Sequence, residues 1–580
     1  MQNGHRSYDT IHTDVLIVGA GAAGLRAAIE LRQSGVDTLV LGKRKHGDAH
    51  TIWAAGGINA SLGTRDPEDR WDIHAADTIG EGHYVCDPRA VEVLARQAPE
   101  RIRELHEWGC PFSLTEDGEI DQRYFGAQSF RRTCFAGDRT GEAVLHTLVD
   151  KAREEEVPYR EDVYITGLVK DGGRVTGAAG YDMDTGRYLL FAARAVVLAA
   201  GGLTSLYRRS SSRPDENNGD AAALAYEAGA ALRDMEFVQF HPTGMTEPAE
   251  MDGRLVTEAV RGEGGRLYNA EGERFMERYS PEHMELDARD VVARANYREM
   301  QEGRGTPDGA VLLDISHRDP EYIKERLPKM YEQFMQFGVD ITREPMKVSP
   351  TAHYAMGGVK IDFDTGRTTV EGLYAIGEAT AGVHGANRLG GNSLAETVVF
   401  GKVLGDHLVE TLGEAPEPQP DKEAAAEQFA GLDTLGPDGE HDPRDLVSEL
   451  RELVWEHGGI VRTGESLREG LGKLEQIRRR AESLRVPGGP TSPEFEQALN
   501  LRFMLPAAET VLRGALLREE SRGAHYREDF EEERPEWQET VLYAKSGDGM
   551  ELWTEPLDGI SGEIQQALEE EYSLDYHYLE

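Results

Sequence analysis

The chain has 580 residues, with 105 Asp and Glu against 63 Lys and Arg, for a formal net charge of −42. At roughly 150 residues per domain this length implies three or four units, and the charge argues against nucleic acid or anionic lipid as a direct partner. The apolar fraction is 39%, and no apolar run approaches the ~18 residues that a membrane span requires.

Residues Met1 to Asp14 are polar and lack the charged-then-apolar pattern of a secretion signal, so a cytoplasmic location is expected. Thr13 to Val18 reads as an apolar strand running into Gly19-Ala20-Gly21-Ala22-Ala23-Gly24. Leu25 to Gln33 has helical spacing, and Val36 to Leu41 is a second strand. This is the opening of a dinucleotide fold. Gly19, Gly21 and Gly24 permit the tight turn and close backbone approach, and the helix N-terminus faces a pyrophosphate. The acid that usually closes the second strand is missing, because Leu41 leads to Gly42 and Lys43. A standard NAD site is disfavoured, and Lys43 is placed to meet a phosphate or ribose oxygen.

His50-Thr51-Ile52-Trp53-Ala54-Ala55-Gly56-Gly57 follows. His50 stands where an isoalloxazine ring arrives if its ADP half sits on the glycine turn. There a ring nitrogen can bond covalently to the flavin's methyl carbon.

Short β-type segments from Tyr164 to Phe191 lead into Ala195-Val196-Val197-Leu198-Ala199-Ala200-Gly201-Gly202, a buried strand ending in glycines. Gly372-Leu373-Tyr374-Ala375-Ile376-Gly377-Glu378 repeats that form much later. With the first glycine turn, the two strands describe a split FAD domain interrupted by an insertion. The insertion, roughly Phe237 to Glu344, is rich in charge and aromatics.

After Leu412 a Pro/Glu-rich linker, Glu414 to Lys422, precedes helical spacing over Asp445 to Leu484 and Pro493 to Glu520, broken at Gly488-Gly489-Pro490. The tail from Pro535 to Glu580 mixes short strands with acidic turns. No internal repeat is present. The acidity is densest in this last third, and it fits a halophilic-type surface whose self-repulsion a salty cytoplasm screens.

The expected fold is therefore α/β. A Rossmann-like FAD-binding domain in two parts (1–236 and 345–412) is interrupted by an α+β capping domain (237–344). A helical domain (413–530) and a small C-terminal domain (531–580) follow. Cys86, Cys110 and Cys134 are far apart and include no CxxC pair, so they support neither a disulfide framework nor an iron–sulfur cluster. No metal site is expected.

A polar set gathers around the insertion: His241 (in Phe240-His241-Pro242-Thr243-Gly244), Thr257, Glu258, Arg261, Arg289, His353 and Arg388. Any one of them alone is more often a satisfied core residue or a surface charge. As a set they stand beside glycine-rich segments and on both sides of a domain junction, where ligand clefts form. They also supply the cationic and hydroxyl donors that a dicarboxylate needs.

These motifs resemble the succinate dehydrogenase/fumarate reductase flavoprotein group, whose relatives include L-aspartate oxidase. The resemblance runs from about Asp14 to Tyr543 and includes Ser521-Arg522-Gly523-Ala524-His525. It implies an FAD-dependent oxidoreductase acting on CH–CH bonds, interconverting succinate and fumarate. FAD would be attached through His50, with Thr51, Gly56 and Gly57 beside it. Glu378, Ser393 and Leu394 match the second FAD segment. Asp220 matches an acidic FAD contact, although this chain reads Gly219-Asp220-Ala221 where the family has Gly-Asp-Gly. His241, Thr257, His353 and Arg388 match the residues that grip the substrate carboxylates. Arg289 matches the arginine that moves the proton, with Glu258 and Arg261 as its relay.

The implied partners are an iron–sulfur subunit that receives the electrons and, beyond it, a quinone-reactive membrane anchor. This chain would then be peripheral on the cytoplasmic face, and its acidic tail is a candidate docking surface. Three other readings stay open. L-aspartate oxidase has a serine-like residue at the position of His50 and a Glu-Gly-Gly segment where this chain has Phe125-Gly126-Ala127-Gln128-Ser129, ahead of Ala136-Gly137-Asp138-Arg139-Thr140-Gly141. Trp53 leans toward that oxidase, and Ala55 in place of a usual Gln or Glu beside the flavin leaves the direction of catalysis open. A soluble, thiol-linked fumarate reductase is the second. A flavin-binding electron-transfer or assembly subunit without turnover is the third, and the intact polar set counts against it.

Overall fold

The computed structural model describes residues 8–547 and 549–570, so the first residues of the polar opening and the end of the acidic tail lie outside the described residues. The first strand runs from Tyr8 to Val18, longer than the apolar run suggested. Its outer half is partly exposed and polar, and it is strand because it pairs with Tyr188–Ala193. Beside it lie Thr38–Leu41 and Tyr159–Arg160 on one side and Tyr188–Leu198 on the other, all parallel. The antiparallel Arg174–Asp182 and Val163–Asp171 extend the sheet, and the late strand Leu373–Ala375 joins it parallel to Val196–Leu198. The α/β layer is thus built from both halves of the chain.

Helix Ala22–Gln33 packs against helix Asn392–Thr411, buried along most of its length. Gly24 makes its approach to the strand possible, since a Cβ there would run into the Gly19 carbonyl oxygen. Gly19 itself lies at φ +119, beside the Ala199 carbonyl, in a backbone region that an L side chain rarely adopts.

The insertion folds as a four-stranded sheet in the order Val238–Met245, Met346–Ala355, Val311–Asp314, Arg266–Tyr268. Its second strand lies beyond the expected edge at 344. The chain must return along Val238–Met245 to satisfy that strand's backbone groups, so the unit's sheet ends at Ala355, where composition gives no signal. A separate apolar cluster that includes Met245, Val256, Leu313 and Val348 lies beneath it.

The expected helical stretch Asp445–Leu484 is two helices, Pro443–Gly458 and Gly464–Ala481, separated at Gly459 and restarted by Thr463, whose hydroxyl accepts from the Ser466 N–H at 3.1 Å. Pro493–Leu517 packs on both. The tail is not a free appendage. Hairpin Glu539–Ser546/Gly549–Pro556 adds to strands Leu232–Arg233 and Gly358–Val359 from the two FAD-binding segments. A helix, Gly562–Glu569, then packs on Trp71–Glu81 through Ile564 and Ala567. The sequence reading expected only strands and turns there, because Ile564, Ala567 and Leu568 make a single turn of helical spacing inside an acidic stretch.

The three cysteines are buried and unpaired. Among the described residues, no group of His, Cys, Asp and Glu could hold a metal ion, and no helix is long and apolar enough to cross a membrane.

Candidate active site at the junction of sheet and insertion

A continuous cleft runs from the first glycine turn to the insertion. Its lining runs from the glycine turn to the polar set of the insertion, a span that suits a dinucleotide together with a small substrate. Gly19, Gly21, Lys43, His50, Thr51, Gly56, Gly57, Asp220, Glu378, Ser393 and Leu394 all line it. Gly24 does not, because it packs helix on strand. The helix that starts at Ala22 has no side-chain cap, so its first amides and dipole are available to an anion. Thr51 Oγ1 takes one of them, accepting from the Ala22 N–H at 3.2 Å. The N-terminus of helix Asn392–Thr411 opens on the cleft through Ser393 and Leu394. An uncapped helix start, glycines at the walls and the buried, unbonded Asp220 Oδ1 suit FAD. Lys43, expected at a phosphate or ribose oxygen, is paired with Asp220 and lies over the Tyr164 ring at 4.0 Å.

His50 opens a short 3-10 turn, His50–Trp53. Its Nδ1 lies 3.0 Å from Glu216 Oε1. Burial works against the charged imidazole, but the bond and charge of Glu216 outweigh it and raise the His50 pKa. Glu378 lies half-buried across the cleft, with Oε1 accepting from the Ala355 N–H at 3.0 Å. Burial pushes its carboxyl up to about 7 despite the nearby His50 charge.

At the insertion end, His241 comes from strand Val238–Met245 and His353 from its neighbour Met346–Ala355, which brings their rings to 5.3 Å. Both pKa values fall well below the ordinary histidine value through burial; His241 adds to this at His353, and Arg289 acts on both. The Thr243 N–H donates to His241 Nδ1 at 3.2 Å. The proton therefore sits on Nε2, a buried donor with no partner. His353 Nδ1 lies 2.9 Å from the Ser211 hydroxyl. Arg388 lies over the Tyr354 ring at 4.7 Å with its Nε buried and unbonded. Burial first, and then the Arg289 charge, lower its pKa to about 9. Thr257 lines the same space.

Arg289, the first residue of helix Arg289–Gln301, donates through Nε to Glu258 Oε2 at 2.9 Å. Arg261 Nη2 stands 3.5 Å from the same oxygen. Burial would raise the Glu258 carboxyl, but Arg289 and Arg261 outweigh it and hold it at about 2. Arg261 does not line the cleft. It sits behind Glu258, donating to the Glu285 carbonyl. The other six residues of the polar set face the cleft directly.

Sequence reasoning missed Gln239 and Glu216. Gln239 is fully buried; it accepts from Arg289 Nη1 at 3.2 Å and donates to Asn387 Oδ1 at 2.8 Å and to the Arg388 carbonyl at 2.9 Å. A glutamine two residues before His241 in an apolar strand was the available signal. Glu216 lies in a polar loop and gave none.

Comparison with known proteins is in keeping with this geometry. A family model described as FAD binding domain matches residues 14–394, and one described as fumarate reductase flavoprotein C-term matches residues 447–566. The chain is 45% identical to a subunit of the fumarate reductase (CoM/CoB) of Methanothermobacter marburgensis, covering 91% of this chain and 96% of that protein. It is 38% identical to the succinate dehydrogenase flavoprotein subunit of Rickettsia bellii, covering 93% and 94%. Mycobacterium smegmatis Sdh1, solved in complex with UQ1, superposes with a TM-score of 0.87 at 39% identity, covering 96% of each chain.

Proposed function

The chain belongs to the succinate dehydrogenase/fumarate reductase flavoprotein family and is an FAD-dependent oxidoreductase; from that premise we propose that it interconverts succinate and fumarate, with Arg289 as the proton-transfer group. The observation that carries this reading is the buried Arg289–Glu258 pair, set against a clamp of His241, His353, Arg388 and Thr257 that opens on the FAD cleft.

Bound FAD supplies the hydride acceptor or donor. The chain's own residues do the rest. His241 Nε2–H and Arg388 Nε–H are buried donors without protein partners, so a carboxylate entering the cleft satisfies groups whose burial is otherwise costly. Neutral histidines and one cation offer directed hydrogen bonds to the substrate, with stabilisation aimed at charge that develops in the transition state. In the reducing direction Arg289 gives a proton to the substrate carbon. Arg261 and then Glu258 carry one in from solvent to replace it. In the oxidising direction the same groups run in reverse, and Glu258, ionised well below neutral pH, stabilises the arginine that takes the proton up. His50 is the attachment point for FAD. Thr51, Gly56, Gly57, Asp220, Glu378, Ser393 and Leu394 line its binding surface.

Electrons pass to an iron–sulfur partner subunit, then to a membrane anchor, which places the chain peripherally at the membrane. A second reading, fumarate reduction in a soluble thiol-linked complex, is favoured by the 45% identity to the relative named for CoM/CoB. The deciding assay is anaerobic: dithionite-reduced holoprotein is mixed with fumarate, and oxidised holoprotein with succinate or L-aspartate, while flavin absorbance is followed. Reoxidation by fumarate and bleaching by succinate are expected. Bleaching by L-aspartate alone would overturn the proposal.

A further inference from the structure

Glu216 lies at the dimethylbenzene end proposed for the flavin, and nothing in the succinate/fumarate chemistry uses it. Its side chain is only 11% exposed, yet it is fully engaged. Oε1 accepts from the Arg213 N–H at 2.9 Å and lies 3.0 Å from His50 Nδ1. Oε2 accepts from Arg213 Nε and Nη2 at 3.1 and 2.9 Å. Arg213 is anchored in turn, donating through Nη1 to Asp48 Oδ1 at 2.6 Å. The guanidinium is gripped from both ends, the carboxylate is gripped by it, and the histidine stands on the carboxylate. No other residue bonds the His50 ring, so Nε2 is uncommitted among the described residues.

We infer that Glu216 is the positioning residue of His50: it accepts and retains the Nδ1–H, so that when the ring is neutral the lone pair is on Nε2, and it holds that nitrogen toward the flavin's methyl carbon. The inference rests on the placement of FAD given above. A histidine alone rotates and samples both tautomers, and a carboxylate on one nitrogen sets both ring orientation and basicity at the other. Attachment exchanges a methyl C–H bond for a C–N bond made by the Nε2 lone pair. One proton leaves the methyl group and one leaves Nδ1, where Glu216 is the first acceptor. The two electrons and two protons convert one fumarate to succinate, so atoms and charge balance.

The test uses full-length holoprotein, reconstituted with FAD and fumarate. Wild type, Glu216→Gln, Glu216→Ala and His50→Ala are compared for total FAD per chain, thermal midpoint and the flavin that survives denaturing precipitation. Wild type should retain its flavin and His50→Ala should lose it. Glu216→Ala should cut the attached fraction at least tenfold while total FAD stays near one per chain, and Glu216→Gln, which keeps the acceptor oxygen, should restore part of it. Equal attachment in wild type and Glu216→Ala overturns the role of Glu216 and leaves the covalent reading intact. If wild-type flavin washes away, the covalent reading fails by itself, and the FAD midpoint potential decides the positioning role. A tenfold change in the relative binding of oxidised and reduced flavin in Glu216→Ala, about 30 mV for a two-electron couple, upholds it. An unchanged potential overturns it. Should Glu216→Ala fail to fold, Glu216→Gln carries the same comparison, since it keeps an oxygen for Arg213.

Discussion

Replacing Glu258 by Gln removes one charge from between two buried guanidinium groups, and its consequences follow from the geometry. Glu258 Oε2 sits 2.9 Å from Arg289 Nε and 3.5 Å from Arg261 Nη2. Its carboxyl is held at about 2, against an ordinary 4.5, because the two arginines outweigh the cost of burial. At 1.36 kcal/mol per unit that difference is about 3 kcal/mol, in line with the ~3–5 kcal/mol lost when one partner of a buried pair is removed. The folded-state value is depressed, so this contribution is complete above about pH 4.5 and is lost as pH falls toward about 2.

Glu258→Gln should therefore lower the thermal midpoint at neutral pH, with the gap to wild type closing under acid. Catalytically it removes the proton relay to Arg289, and a positioned acid–base group contributes about 10²–10⁴-fold. We expect kcat for fumarate reduction to fall by about 10²–10⁴-fold, with KM changed far less and FAD content unaltered, because Glu258 touches proton transfer and not the carboxylate clamp. The assay is steady-state reduction of fumarate by an artificial one-electron donor, with flavin content measured on the same sample. A kcat within threefold of wild type, with FAD fully bound, would refute the relay.

Arg388→Lys should raise KM and lower kcat/KM by about 10–100-fold, the worth of a charge-assisted hydrogen bond; a change confined to kcat would contradict a clamping role. Gly19→Ala introduces a side chain at φ +119 against the Ala199 carbonyl, so flavin titration should show FAD binding at least tenfold weaker. Unaltered binding would show that the turn can shift. Glu378 has its carboxyl at about 7, so between about pH 4.5 and 7 the folded apoprotein holds a proton that the unfolded chain has released. Stability should fall as pH rises through that window and level off above it, while Glu378→Gln should flatten the slope in a thermal-midpoint series. A slope unchanged in the variant would locate the titration elsewhere.

Local patterns in the sequence were enough for the elements with a strong period and for groups whose chemistry is rare. The Gly19–Gly24 turn between strand and helix, the glycine-ended strands at Leu198 and Ala375, and the histidines and arginines beside glycine-rich turns were all legible, because each is dictated by neighbours within a few residues. What depends on partners distant in sequence was not. The outer half of the first strand exists because Tyr188–Ala193 pairs with it, and Met346–Ala355 belongs to the insertion because Val238–Met245 needs its backbone groups. The tail is held by two-residue strands from elsewhere in the chain. The same distinction runs through the site. Residue type marked His50, His241, Arg289 and Arg388, but only folding brought Gln239 onto Arg289 and Glu216 onto His50, across 166 positions in the second case. A polar side chain's partner is set by where the backbone is carried in three dimensions, and the sequence around it holds no record of that.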